Sequence, residues 1–258
     1  MTMHMASRRR GSNERVALVG WVVDAQNDFV LKQRPGGRLY VRHLHDPNDP
    51  GAEQILPTLS RAVGLYHRRC AQVTYTGDWH REDDPEIDLR APDPMKGTYP
   101  PHCMGLSDDP RERAGAELVN VVRPPHELLV LKRGASAARA RQVARDSVRV
   151  RRSTFIQKHQ FSVFTGASGV DEYLAGLEEA LDAELLIVVC GVAMDVCVKH
   201  AIDGFLARRY PVILLTDATY GLGLAHANAL VAEWKRCGLI AISVSEFEDM
   251  SISRCAAN

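Results

Sequence analysis

Short apolar runs alternate along most of this chain with longer segments in which apolar residues recur at helical spacing. The run RVALVGWVVDA (15–25) is continuous and rich in β-branched residues, as is typical of a strand covered on both faces. The segment 52–68 instead places Ile55, Leu59 and Val63 on one face of a helix. Such alternation predicts a parallel sheet whose strands are joined by helical crossovers.

The same reading extends along the rest of the chain. It predicts further strands at 71–78, 127–134, 184–190, 211–219 and 239–247, and further helices at 170–183, 195–208 and 223–238. The predicted fold class is therefore α/β, a doubly wound and mostly parallel sheet with helices on both faces in a Rossmann-like three-layer arrangement. With 258 residues, 45% of them apolar, we expect a single domain over 15–258 behind a disordered basic arm at 1–14.

Two segments interrupt the alternation. Residues 81–126 are acidic and then proline-rich, which predicts a long ordered loop region. Residues 133–152 are dense in arginine and form either a solvated helix or basic insertion, or a patch that binds a polyanion or a partner. No aromatic residues are interleaved with these arginines to support nucleic-acid binding.

The overall charge and the cysteines narrow the class of protein. The chain has 32 basic and 32 acidic residues, so its balanced charge gives no reason to expect a nucleic-acid partner. Its longest apolar run, 185–194, is too short to span a bilayer, and we expect no membrane partner. Six cysteines are spread along the chain without a CxxC pair, which favours a reducing, cytoplasmic location.

Reactive side chains follow four of the predicted β-type segments. Asp24 ends the first strand, Asp78 and His80 follow the second, Lys158 follows RRSTFIQ, and Cys197 follows the apolar run 184–190. Ligands of open α/β sheets bind beyond the carboxyl ends of the strands. We therefore expect an acid, a metal-type pair, a cation and a thiol to meet at one edge of the sheet.

Each of these residues also has a plain structural interpretation. A cysteine after an apolar strand is commonly a buried filler, Asp24 could cap a turn, and Lys158 could be a solvated surface residue. Cys197, however, falls in the first turn of a predicted helix, where free N–H groups and the helix dipole favour a thiolate. The coincidence of the four groups indicates a reactive site.

The tripeptide DWH suggests a metal site. Residues two apart in an extended segment point to the same side, so Asp78 and His80 can share a cation. His102, in the proline-stiffened YPPHC, offers a third ligand. Two histidines and one carboxylate leave coordination positions open for water or substrate, as catalytic metal sites do.

These stretches resemble the nicotinamidase branch of the isochorismatase-like cysteine hydrolases, in the family's order, intermittently over residues 16–247. VDAQNDFVLKQRPGGRLYV is similar to the family's first strand and its catalytic aspartate. GDWH and YPPHCMGLSDDPRERAGAEL resemble its metal segments, and KHQFSVFTG its lysine segment. CGVAMDVCVKHAIDGFLARRYPVILLTDAT resembles the nucleophile segment and the strand that follows it.

The resemblance implies an isochorismatase-like fold and hydrolysis of nicotinamide to nicotinate and ammonia through a thioester, a reaction of NAD salvage. Cys197 would be the nucleophile, Asp24 the general acid and base, and Lys158 their charge partner. The backbone N–H groups of Ala193 and Cys197 would form the oxyanion hole, next to a cis peptide bond between Val192 and Ala193.

The resemblance also implies a divalent metal, zinc first, with iron(II) and manganese left open. Its ligands would be Asp78, His80 and His102, with Glu86 as a fourth, for which Glu82, Asp84 and Asp88 compete. The walls of the substrate pocket would be the four aromatic residues Phe29, Trp79, Tyr99 and Phe161.

Some alternatives stay open at the level of sequence. The arginine-rich stretch before Lys158 is long, and Lys132 is the alternative charge partner. The substrate could be another small carboxamide, the enzyme could be a metal-free hydrolase of the isochorismatase type, or the fold could serve as a catalytically silent interaction protein. A homo-oligomer is also left open.

Overall fold

The computed structural model describes residues 15–33, 39–166 and 168–251. Within them, seven strands form one sheet in the order β3-β4-β2-β1-β5-β6-β7, and every pair of neighbours is parallel. The strands are β1 Val16–Val23, β2 Gln72–Asp78, β3 Leu129–Leu131, β4 Thr154–Lys158, β5 Glu184–Val192, β6 Val212–Tyr220 and β7 Ile240–Ile242. This is the predicted doubly wound α/β class. The basic arm expected at 1–14 lies outside the described residues.

Helices connect and cover the strands. They are α1 Asn27–Val30, α2 Leu56–Arg69, α3 Pro110–Arg113, α4 Ala137–Val150, α5 Val170–Leu181, α6 Cys197–Ala207, α7 Ala227–Arg236 and α8 Val244–Asp249. None of the helices in these ranges is both long and apolar enough to cross a lipid bilayer.

Strand β1 lies at the centre of the sheet, between β2 and β5. It is buried along nearly its whole length, because helices cover both faces, and this explains its unbroken apolar sequence. From β1 the chain first builds the sheet on the β2 side and then returns to build the β5 side. The carboxyl ends of β1 and β5 therefore flank the switch point where α/β sheets bind ligands.

The arginine-rich stretch contains helix α4, which connects β3 to β4. A helix was one of the alternatives that the sequence left open for this stretch. It packs closely on α5 at Gly176, where a Cβ atom would come within 2.9 Å of the Cβ of Ala144. On its outer side Arg141 and Arg145 pair with Glu179 of α5. The helix thus combines a buried small-residue face with a charged outer face.

The end of the chain departs from the prediction. A strand was expected over 239–247, but β7 ends at Ile242 and a helix begins at Val244. Ser243 Oγ accepts a hydrogen bond from the N–H of Glu246, whose carboxylate in turn accepts one from the N–H of Ser243. This capping box starts a helix where apolar residues alone indicated a strand.

Candidate active site

Lys158, the last residue of β4, brings the predicted catalytic residues together. Its Nζ lies 2.9 Å from Asp24 Oδ2 and 3.5 Å from Cys197 Sγ. The same ammonium donates a hydrogen bond to Asp78 Oδ1. All four side chains are buried. Lys132, the alternative charge partner, is exposed after β3.

The backbone and a neighbouring strand hold Asp24 in place. The residue follows β1 with a φ of 47°, a left-handed conformation that aspartate adopts more readily than most residues. Thr76 of β2 donates from Oγ1 to Asp24 Oδ1 over 2.8 Å, and the carbonyl of Thr76 accepts from the N–H of Asp24. The carboxylate is therefore fixed before any substrate arrives.

The charge states of this group differ from one expectation. The start of the helix was expected to favour a thiolate at Cys197. Burial instead raises the pKa of this thiol well above its ordinary value, and the Lys158 ammonium offsets this only in part because Asp24 and Asp78 add negative potential. Burial also raises the pKa of Asp24, against the opposing effect of Lys158. Burial and the nearby carboxylates thus favour the protonated sulfur, and Asp24 lies close enough to serve as the base that takes its proton.

A second cluster lies beside the first. Asp78, His80, Glu86 and His102 each offer one ligand atom, and these atoms lie within 4.8 Å of one another. His80 Nε2 is 3.8 Å from both Asp78 Oδ2 and Glu86 Oε2, and His102 Nε2 is 3.8 Å from Asp78 Oδ2. Such spacing is close to that of donors around one ion, each about 2.0–2.2 Å from it.

The hydrogen bonds of the two histidines suit metal binding. His80 Nδ1 lies 3.1 Å from Asp84 Oδ2, and His102 Nδ1 lies 2.7 Å from the carbonyl oxygen of Pro100. Each Nδ1 can donate its proton outward, which leaves the Nε2 lone pair facing the cluster.

Two buried polar atoms of the cluster lack a hydrogen-bond partner among the described residues, His80 Nε2 and Glu86 Oε2. Leaving such an atom unpaired costs about 1–3 kcal/mol, a cost that a shared cation would remove. Burial, with Asp78 nearby, also raises the pKa of Glu86 to about 8. The four residues therefore fit a divalent metal, and imidazole with carboxylate suits zinc, iron(II) or manganese.

The structure separates the candidates for the fourth position. Glu86 points into the cluster. Asp84 instead bonds the outer nitrogen of His80, Glu82 is exposed, and Asp88 accepts hydrogen bonds from the backbone of Arg90 and the residue after it.

A narrow cavity joins the two clusters. Phe29, Tyr99 and Phe161, three of the four predicted wall residues, line it. Trp79 is not among the lining residues: it alternates with Asp78 and His80 along an extended segment, and its ring packs on Phe155 with centroids 5.7 Å apart. Among the described residues, the lining consists of Phe29, Leu39, Val41, Asp78, Glu86, Tyr99, His102, Phe161, Ala193, Val196, Cys197 and Leu222.

The turn before Cys197 has the conformation that the resemblance implied. The peptide bond between Val192 and Ala193 is cis. The carbonyl of Ala193 accepts hydrogen bonds from the N–H groups of Val196 and Val198, both over 3.0 Å, which ties the turn to the start of α6. Ala193 and Cys197 both line the cavity. An oxyanion hole formed by their N–H groups stays a prediction.

Sequence reasoning missed the groups that support the site. Gln26 carries no local signal of a supporting role, yet its buried amide donates to the carbonyl of Asp78 over 2.8 Å and accepts from the N–H of Asp78 over 2.8 Å. It also donates to the carbonyl of Ala116 over 2.7 Å. Thr76 and Arg133 were missed as well, because each acts through a contact with a residue distant in sequence. The sequence also carries no signal for the apolar residues that complete the cavity wall, which are Leu39, Val41, Val196 and Leu222.

Comparison with known proteins gives one family. The isochorismatase domain matches residues 16–246. Among curated proteins, none matches the chain.

Solved structures share the fold. N-carbamoylsarcosine amidase from Thermoplasma acidophilum is 22% identical with a TM-score of 0.57, covering 92% of this chain and 99% of its own. The pyrazinamidase of Pyrococcus horikoshii, solved in complex with zinc, is 24% identical with a TM-score of 0.59, covering 88% and 99%. PnC1 from L. infantum, solved in complex with nicotinate, is 25% identical with a TM-score of 0.58, covering 89% and 93%.

Proposed function

Because the chain belongs to the isochorismatase domain family of hydrolases, we propose that it is a metal-dependent cysteine amidohydrolase that converts nicotinamide to nicotinate and ammonia. One observation carries the proposal. A buried thiol lies 3.5 Å from an ammonium that also pairs with a carboxylate, and this thiol faces the same narrow cavity as a four-residue cluster that fits a divalent metal. A small substrate held at the cluster would present its carboxamide to the sulfur.

In the first half of the reaction, Asp24 takes the proton of the Cys197 thiol as the sulfur attacks the carbonyl carbon. The Asp24 carboxylate and the sulfur lie within 4.8 Å of each other, and the Lys158 ammonium contacts both. Proton removal during attack compensates for the high pKa of the thiol. The N–H groups of Ala193 and Cys197 would stabilise the tetrahedral oxyanion, a contribution of about 10²–10³ in rate for each donor.

In the second half, Asp24 gives its proton to the departing ammonia, which leaves a thioester on Cys197. Asp24 is then a carboxylate again and takes a proton from water as that water attacks the thioester carbonyl. The carbon–sulfur bond then breaks, the carboxylic acid is released, and Asp24 returns its proton to the sulfur, which restores the thiol. Burial raises the pKa of Asp24, which makes it a better proton carrier than an exposed aspartate.

The cavity favours a flat, neutral substrate. Its walls carry the aromatic rings of Phe29, Tyr99 and Phe161, and no arginine or lysine is among the lining residues that the structure describes. A metal held by Asp78, His80, Glu86 and His102 would supply a Lewis acid that binds the ring nitrogen and orients the amide. The zinc in the pyrazinamidase and the nicotinate in PnC1 support this choice of substrate class.

The test is a panel of substrates with the zinc-loaded protein, with ammonia and acid products quantified. Nicotinamide and pyrazinamide should be turned over with the highest kcat/KM. Benzamide is the matched control, because it lacks only the ring nitrogen and should show a much higher KM. N-carbamoylsarcosine and isochorismate cover the other reactions of the family. Turnover of either of these in preference to both pyridine-type amides would contradict the proposal.

A further inference from the structure

We propose that Arg133, in the arginine-rich stretch, is a positioning residue for the metal-binding histidine His80 and acts on it through Asp84. The inference rests on the proposed metal cluster and gives a role to part of a basic segment that the reaction itself does not use.

Arg133 forms a two-pronged ion pair with Asp84. Its Nη1 lies 2.7 Å from Asp84 Oδ2 and its Nη2 lies 2.8 Å from Oδ1. The two side chains are only 15% and 5% exposed, so water screens the pair weakly. A planar guanidinium that bonds both oxygens fixes the rotation of the carboxylate as well as its position.

Asp84 passes this orientation to His80. Its Oδ2 lies 3.1 Å from His80 Nδ1 and also accepts the N–H of Arg81 over 3.1 Å. With Nδ1 engaged in this way, the imidazole ring directs Nε2 toward Asp78 and Glu86. Outer partners of this kind typically change metal affinity by about 10–100-fold.

Arg133 also contacts the backbone between two of the ligands. Its Nη1 donates to the carbonyl oxygen of Trp79 over 2.8 Å. Trp79 separates Asp78 from His80, so one guanidinium holds both the segment that carries these ligands and the carboxylate that orients one of them. A lysine could not make all of these contacts, because a single ammonium lacks the planar fork.

The experiment measures the affinity of metal-free protein for Zn²⁺ by competition with a chromophoric chelator. Arg133→Met should bind Zn²⁺ about 10–100-fold more weakly than the unsubstituted protein. Arg133→Lys should recover only a small part of this loss. Arg139→Met is the matched control, since Arg139 is an exposed arginine of the same stretch, and it should change the affinity by less than about twofold.

A double-substitution cycle tests the path through Asp84. In a chain that already carries Asp84→Asn, the further change Arg133→Met should weaken Zn²⁺ binding far less than it does alone. Thermal unfolding of the metal-free proteins shows which variants fold. If Arg133→Met does not fold, the cycle is made with Arg133→Lys in its place, alone and combined with Asp84→Asn.

Two outcomes would overturn the proposed role of Arg133. One is equal Zn²⁺ affinity of the Arg133 variants and the Arg139 control, and the other is additive effects of the Arg133 and Asp84 substitutions in the cycle. Absence of Zn²⁺ binding by the unsubstituted protein would instead contradict the proposed metal cluster itself. The failure of one idea is therefore distinguishable from the failure of the other.

Discussion

The site has two halves that differ in how their charges are balanced. One is the catalytic group of Asp24, Lys158 and Cys197, and the other is the metal cluster of Asp78, His80, Glu86 and His102. In the catalytic group, the single ammonium of Lys158 lies against the carboxylate of Asp24 and the sulfur of Cys197, so opposite charges already meet. In the metal cluster, His80 Nε2 and Glu86 Oε2 are buried without a hydrogen-bond partner among the described residues. The charged groups of the first half pair with one another once the sheet has folded, whereas the second half fits a cation that would supply the missing partner.

The halves also differ in what holds them. Asp24 and Lys158 lie at the ends of β1 and β4, next to backbone bonds of the sheet. Glu86 and His102 come from the 81–126 loop region. The side chain of His102 is held by a hydrogen bond within that loop, between its Nδ1 and the carbonyl of Pro100. The halves share one contact, the ion pair between Lys158 and Asp78. Substitutions that leave this pair in place should therefore leave the other half intact.

The largest effect should come from Cys197→Ala. Without the sulfur no thioester can form, and we expect kcat to fall by at least about 10⁴-fold. Zn²⁺ stoichiometry and the far-UV circular dichroism spectrum should match those of the unsubstituted protein, because the sulfur lies outside the four-ligand cluster. Ammonia release at the normal rate would remove Cys197 from the mechanism, and loss of zinc would break the separation of the halves.

His80→Ala should act on the other half. Removing this ligand should lower Zn²⁺ affinity by more than about 100-fold and raise KM sharply, because the substrate loses its anchor. The reaction of Cys197 with iodoacetamide, followed by peptide mass spectrometry on the metal-free proteins, should change little. Unchanged metal content in this variant would rule out the ligand set.

The smallest effect concerns the pH dependence of Cys197 alkylation. Burial raises the pKa of this thiol, so the reactive thiolate is scarce at neutral pH and increases as the pH rises toward the folded-state pKa. Between pH 8.5 and 10 the alkylation rate should keep rising by up to about tenfold per unit, while that of a free cysteine peptide, with a pKa near 8.5, levels off. An alkylation rate that does not change with pH above pH 7 would instead show that Cys197 rests as a thiolate. In that case the Lys158 ammonium would outweigh the effect of burial on the thiol pKa.

Sequence reasoning succeeded where strand ends decide the geometry. The apolar runs fix β1, β2 and β5, and parallel strands bring their carboxyl ends to one edge, so Asp24, Asp78 and Cys197 could be placed together without coordinates. The period of two along an extended segment paired Asp78 with His80 correctly. The same period places Trp79 on the opposite side, a consequence that the resemblance obscured.

Loop conformation and long-range contacts limited the rest. Between Glu82 and Asp88 the chain offers several carboxylates, and only the folded loop shows that Glu86 points inward while Asp84 binds Arg133. The thiol pKa depends on burial and on the balance of charges from several elements, which no local pattern encodes.

The left-handed backbone at Asp24 restricts which replacements a protein engineer can use there. Alanine, glutamate or any β-branched residue would have to bear the cost of a conformation that asparagine, like aspartate, tolerates. Asparagine also keeps an oxygen for the Thr76 hydroxyl. Asp24→Asn is thus the natural choice for a folded trap that captures a bound amide for crystallography without consuming it.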